Sequence, residues 1–248
     1  VFFSLKGKYS ASENLSPDIE FNMAIRDGFV AYNNAPEPAK NIYMNLKTKL
    51  PSLDTNKLEV ALDSIYFTLG KDYFSAILNV KGLTNPLIDT KIKSEIDLEK
   101  LQKTIGITGF DLKGKLSANI VSKGVYNKTQ HQFPITNGNL EIVNGYIKTE
   151  YYPNPIKDIN FKGTILNTGE SLETLSLNIQ PASFLFEEKP FHLTASLKNF
   201  KDITYDIKAK GELDIAKIYN VFSQEGLDFE GYANADVSFK GKQSDATN

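Results

Sequence analysis

The chain has 248 residues, 41% of them hydrophobic and 23% charged, with a formal net charge of −2. That balance belongs to a folded protein rather than a disordered one. With Lys and Asp/Glu interspersed, no basic block exists to track a phosphate backbone, so nucleic acid is not an expected partner. There is no cysteine, which excludes disulfides and thiolate chemistry, and no apolar run approaches the ~20 residues needed to span a bilayer.

In chain order, "VFFSLKGK" reads as the second half of a strand from a preceding unit, so the chain is expected to be part of a longer protein. "RDG", and later "VNG", read as turns, as do "LGKD" and "EEKP". The Pro-x-Pro-x-Lys stretch (Pro36, Pro38, Lys40) reads as a loop leading into a strand near Asn41, because each Pro removes a ladder donor. "IYMNLKTKL" then alternates Ile42, Met44, Leu46 and Leu50 against Tyr43, Asn45, Lys47 and Lys49. "LEVAL" places Leu58, Val60 and Leu62 on one face, and "FSAILNV" does so for Phe74, Ala76, Leu78 and Val80. This period of two marks strands with one buried face. "DLEKLQKTI" changes the period: Asp97 can cap a short helix, Leu98, Leu101 and Ile105 form its apolar stripe, and Gly106 stops it.

The pattern then starts again. Gly7, Gly124 and Gly241 are spaced by 117 residues, and sliding the chain by that distance aligns it on itself without a gap. Gly28 falls on Gly145, Pro36 on Pro153, Pro38 on Pro155, Lys40 on Lys157, Leu58 on Leu175, Phe67 on Phe184 and Phe74 on Phe191. "DTKIKSEIDLEKL" lies over "DIKAKGELDIAKI", and Gly109, Asp111 and Gly114 lie over Gly226, Asp228 and Gly231. The units are read as 8–124 and 125–241, flanked by 1–7 (the end of a preceding repeat) and a polar tail or loop start at 242–248. Each is expected to hold roughly seven strands and one short helix, the second helix carrying Ile215, Ile218 and Phe222. In-register all-β repeats predict an elongated, twisted antiparallel sheet that grows at its edge instead of closing.

The cycle "DGFVAY", Pro-rich entry, "NIYMNLK", "LEVALDSIYFTL", "FSAILNVKGL", "KSEIDLEKL", "GFDLKGKLSANIVSKG" resembles the AsmA-like family of Gram-negative envelope proteins, which includes the TamB and YhdP-type bridges. The resemblance covers about residues 18–241, in two copies. It implies a β-taco groove with an apolar interior that carries phospholipid acyl chains through the periplasm between inner and outer membranes. It also implies an inner-membrane anchor outside this chain, an outer-membrane protein partner, and no catalytic residues or cofactor.

On the residues alone, the alternating apolar positions fit an ordinary dry core as well as an open groove. Each unit, however, sets about seven strands of inward residues against one helix, which leaves apolar surface in need of a partner. With the resemblance, the expected groove wall is Leu58, Val60, Phe67, Phe74, Leu78 and Val80 in the first unit. In the second it is Leu175, Leu177, Phe184, Phe186, Phe191, Leu193 and Leu197. The alternative is a non-catalytic β-repeat spacer or protein-interaction scaffold of the envelope. An enzyme is not expected. His131 falls in a polar loop and His192 on an outward strand position, no metal site is expected, and no nucleophile–base–orienter set can be assembled. Asp89, Glu95 and Asp97, with Asp206, Glu212 and Asp214, alternate with Lys and read as solvated cross-strand pairs.

Overall fold

The structure, a computed structural model, describes residues 1–33, 37–214, 217 and 232–244. Thirteen strands form one antiparallel sheet in which spatial order equals chain order. They are β1 (Phe2–Lys6), β2 (Asp18–Val30), β3 (Ala39–Leu50), β4 (Glu59–Leu69), β5 (Asp72–Lys81), β6 (Leu87–Asp97) and β7 (Phe110–Val125). After these come β8 (Ile135–Thr149), β9 (Ile156–Asn167), β10 (Leu175–Phe186), β11 (Lys189–Lys198), β12 (Asp202–Asp214) and β13 (Tyr232–Ser244). The sheet is elongated and twisted and does not close. At ~4.8 Å between strands it extends roughly 58 Å across them.

An α-helix, α1 (Leu98–Ile105), joins β6 to β7. Asp97 caps it by accepting the N–H groups of Glu99 and Lys100 at 3.0 and 3.1 Å, and Gly106 ends it in the left-handed conformation (φ 69°). Leu98 and Leu101 pack on Ala39, Leu69 and Ile96 of the sheet. Ile105, expected on the apolar stripe, is instead 54% exposed. The helix turns Thr104 inward in its place, and the Thr104 hydroxyl donates to the carbonyl of Glu37 (2.9 Å). The expected second helix and its residues Ile215, Ile218 and Phe222, with Pro36, Gly226, Asp228 and Gly231, lie outside the described residues.

The repeat is written into the backbone. Positive φ angles at Asn14, Asp27, Asn41, Gly70 and Gly82 return 117 residues later at His131, Asn144, Asp158, Glu187 and Asn199. The isolated bridge Ser10–Leu15 returns as Asn127–Gln132. Gly7 and Gly124 have φ of 115° and 139°, and a Cβ on either would lie 3.2 or 3.1 Å from the Cα of Pro17 or Pro134. Gly241 departs from this: it lies inside β13 against the ring of Tyr205. Among the described residues each repeat spans six strands, β2–β7 and β8–β13, rather than seven. The difference arises because "RDG" and "VNG" are not turns. Asp27 and Asn144 are bulge residues inside the long strands β2 and β8, where the register with the next strand slips. Asn41 and Asp158 are likewise bulges, two residues inside strands that begin at Ala39 and Ile156. "LGKD" and "EEKP" do form hairpin turns.

A candidate apolar groove

Antiparallel partners project to the same face of a sheet, so the register assigns every side chain. From β4 to β7 one face receives Val60/Val80, Leu62/Leu78, Ile65/Ala76 and Phe67/Phe74, then Val80/Ile88, Ala76/Ile92, Ile92/Ile120 and Ile96/Leu116. It continues as Leu116/Ile142, Ile142/Phe161, Ile165/Leu177, Leu177/Leu197, Phe184/Phe191 and Ala195/Ile207. One largely apolar face therefore crosses from the first repeat into the second.

The opposite face is polar and laced by cross-strand ion pairs. Asp89–Lys123 (3.1 Å) recurs as Asp206–Lys240 (3.8 Å), with Lys47–Asp63 (3.3 Å) and Lys81–Glu59 (3.2 Å) alongside. These exposed pairs add little stability, but they fix which face meets water. His192 is exposed here opposite Lys210, and His131 sits in the β7–β8 loop, where its carbonyl accepts the N–H of Leu172. Asp97 serves as the helix cap rather than as a strand-face pair.

A parity change hides in β4. Leu58, Val60 and Leu62 are even-numbered, whereas Ile65, Phe67 and Leu69 are odd, yet all serve the same face. A bulge at Asp63–Ser64 makes this possible, since one extra residue restores the alternation. The second repeat places its bulge at the same point, at Gln180–Pro181, so that Leu175, Leu177 and Ile179 share a face with Ala182, Phe184 and Phe186. Pro181 is tolerated there because a bulge interrupts the ladder.

All thirteen expected wall residues fall on this face or, for Leu58, immediately before its first strand pair. Their exposure divides them. Leu58, Val60, Phe67, Phe74, Leu78, Val80, Leu177, Phe184, Phe191, Leu193 and Leu197 are half-buried. Leu175 (5% exposed) and Phe186 (2%) are sealed at the two ends of β10. Phe186 is covered by Ile156 and by the Tyr152 ring, whose centroid lies 5.7 Å away. These two are core anchors that hold the rim, not wall. The expected set also lacked the residues that join the repeats: Ile92, Ile120, Ile142, Phe161 and Ile165. Their signal is diluted because small polar groups, Thr90 and Ser94 on β6 and Ser122 on β7, share the face with them.

The face is not flat. Leu69 of β4 and Ile96 of β6 belong to one buried cluster although β5 runs between them. Where α1 meets the second repeat, Leu98, Leu112, Ile142, Ile147, Ile156, Ile159 and Phe184 surround a cavity of about 450 Å³ that is almost wholly apolar. The recurring bulges supply the bend, since each bends its strand and increases local twist. Gly145 is part of that wall: a Cβ there would lie 2.8 Å from Ile142 Cγ2 and 2.9 Å from Ile159 Cβ. Gly28 meets Ile25 and Ile42 at 2.7 and 2.9 Å in the first repeat.

At the rim of the second repeat, Glu187 accepts hydrogen bonds from Lys217 (2.8 Å), Tyr152 Oη (2.6 Å) and Asn154 (3.1 Å). The Lys217 ammonium, and then the Tyr152 hydroxyl, hold its carboxyl below the usual carboxylate range. Burial, and then the bond to Glu187, raise the Tyr152 phenol.

In comparisons of the chain with protein-family models, with curated proteins and with solved structures, nothing matches.

Proposed function

We propose that this chain is a lipid-transfer module whose apolar face carries phospholipid acyl chains along the sheet, within an envelope protein that bridges the inner and outer membranes across the periplasm. The supporting observation is the continuous, half-buried apolar face that crosses both repeats and, among the described residues, faces no second sheet. A patch of that extent calls for an apolar occupant. An acyl chain gains ~0.8 kcal/mol for each CH₂ moved out of water. A face with nearly uniform lining lets it slide with little change in free energy from strand to strand. The resemblance to the AsmA-like family supplies the compartment, the inner-membrane anchor outside this chain and the outer-membrane protein partner.

The test is a photo-crosslinking amino acid placed, in cells, at Leu177, Leu193 and Ile165 on the apolar face and at Ser75 and Ser196 on the polar one. The reading expects phospholipid captured from the first three positions only. Equal capture from both faces, or from neither, would leave a non-catalytic spacer or scaffold as the better account.

A further inference from the structure

One row of the apolar face changes chemistry where the repeats join. Read across the sheet, cross-strand partners follow as Leu78, Thr90, Ser122, Thr136, Asn167 and Leu175. Apolar residues flank four polar ones in succession. The 117-residue period supplies the comparison. Thr90 stands where the second copy has Ile207, and Ser122 where it has Phe239. Thr136 and Asn167 stand where the first copy has Ile19 and Leu50. Those counterparts also pair across strands, Ile207 with Phe239 and Ile19 with Leu50. The fold therefore accepts apolar residues at all four positions, and the polar step is peculiar to the junction.

Hydrogen bonds give the step a definite sense. Thr136 and Asn167 are sealed, at 4% and 1% exposed. The Asn167 amide donates to the carbonyls of Phe133 and Pro134 (2.9 and 3.0 Å), and the Thr136 hydroxyl donates to the carbonyl of Pro134 (2.9 Å). With its one proton spent, Thr136 accepts from Ser122 at 2.7 Å, which commits the Ser122 proton as well. The Thr90 hydroxyl donates to the carbonyl of Ile77 (2.9 Å). Thr90 and Ser122 are half-buried, so what they hold out on the apolar face is lone pairs without protons. Two residues along the same strands, the pair Ile92 and Ile120 is apolar. We propose that Thr90 and Ser122 form an acceptor site for an O–H or N–H group at the polar end of an acyl lipid, whose chain lies on Ile92 and Ile120. The site rests on the lipid-transfer reading and adds a preference to it: lipids with a donor in the headgroup are held at the junction, and lipids without one are not.

To test this, the whole chain is incubated with vesicles of equimolar phosphatidylethanolamine, phosphatidylglycerol and phosphatidylcholine and re-isolated, and its bound lipid is counted by mass spectrometry. Phosphatidylcholine has neither an O–H nor an N–H to donate. The native chain should favour the donor lipids over phosphatidylcholine about three- to tenfold more than a Thr90→Val/Ser122→Ala chain does, the worth of about one hydrogen bond. That variant should still take up phosphatidylcholine, which shows that its groove is intact. Thr90→Ile, which installs the residue of the second copy, should lose part of the preference. Enrichment of phosphatidylethanolamine alone identifies an ammonium donor, and of phosphatidylglycerol alone a hydroxyl. Equal ratios in native and variant chains, with lipid bound to both, would overturn this site and leave the lipid-transfer reading in place. No lipid on either chain would overturn both.

Discussion

Phe184 and Phe191 pack ring against ring across β10 and β11 with centroids 5.3 Å apart, and Phe67 and Phe74 do the same at 5.4 Å in the first repeat. The paired rings form matching rungs on the apolar face and remain half-buried, whereas Phe186, two residues from Phe184, is sealed. Phe186→Ala should therefore cost about 3–5 kcal/mol, as for a closed core, and Phe191→Ala roughly half of that. Urea unfolding of the two variants measures the difference; equal costs would mean that the face is closed. Phe191→Glu should destabilise less than Phe186→Glu, since its carboxylate can reach water, and under the lipid-transfer reading it should still abolish lipid capture at Leu193.

Gln102 acts as a piece of strand. β6 covers β7 only as far as the Asp97–Lys115 pair, which would leave the start of β7 bare on that side. The Gln102 carboxamide continues the ladder: its Nε2 donates to the carbonyl of Phe110, and its Oε1 accepts the N–H of Leu112 at 2.6 Å. Gln102→Ala strands both backbone groups and should cost about 1–2 kcal/mol. Gln102→Glu keeps the acceptor and loses the donor, so it should also destabilise. Thermal unfolding that finds either variant as stable as the native chain would exclude this role.

Gly28→Ala and Gly145→Ala should have nearly the same effect, because the added methyl meets β-branched Ile side chains at the same distances in both repeats. A destabilisation of about 1–3 kcal/mol is expected for each, from overpacking. Denaturant midpoints that fall for one variant and not the other would show that the two bulges differ in strain.

The Glu187 cluster gives the rim an acid sensitivity. The folded pKa of Glu187 lies below its unfolded value, so its contribution is complete above the ordinary carboxylate range and is lost as pH falls through the depressed folded value. The Tyr152 phenol is raised, so its contribution holds below the ordinary tyrosine value and is lost as pH rises through the elevated one. Glu187→Gln should flatten the acid limb of a melting-temperature profile between about pH 5 and pH 2. An unchanged acid limb would place the titration elsewhere.

Much of this fold was legible because strand alternation and a 117-residue period are both carried by single residues: Phe74, Leu78 and Val80 declare their face, and Phe67 and Phe184 declare the repeat. The bulges were harder to read. A bulge residue has no composition of its own in this setting, and Asp27–Gly28 looks the same in a turn as inside a thirteen-residue strand. Even so, the parity switch between Leu62 and Ile65 was already present in the letters, since no straight strand puts both on one side. The sealing of Leu175 and Phe186 was not legible. For Phe186 it depends on Tyr152 and Ile156, which reach it across the sheet, and alternation does not distinguish a residue with a lid from one without.

Because every strand is hydrogen-bonded only to its neighbours in the chain, the molecule behaves as a one-dimensional stack. Losing an outer strand breaks one interface and leaves the remainder intact, so opening can proceed from the ends like a fraying ribbon rather than all at once. Amide protection should then form a gradient, lowest in β1 and highest among β6, β7 and β8, which lie in the middle of the sheet where α1 packs.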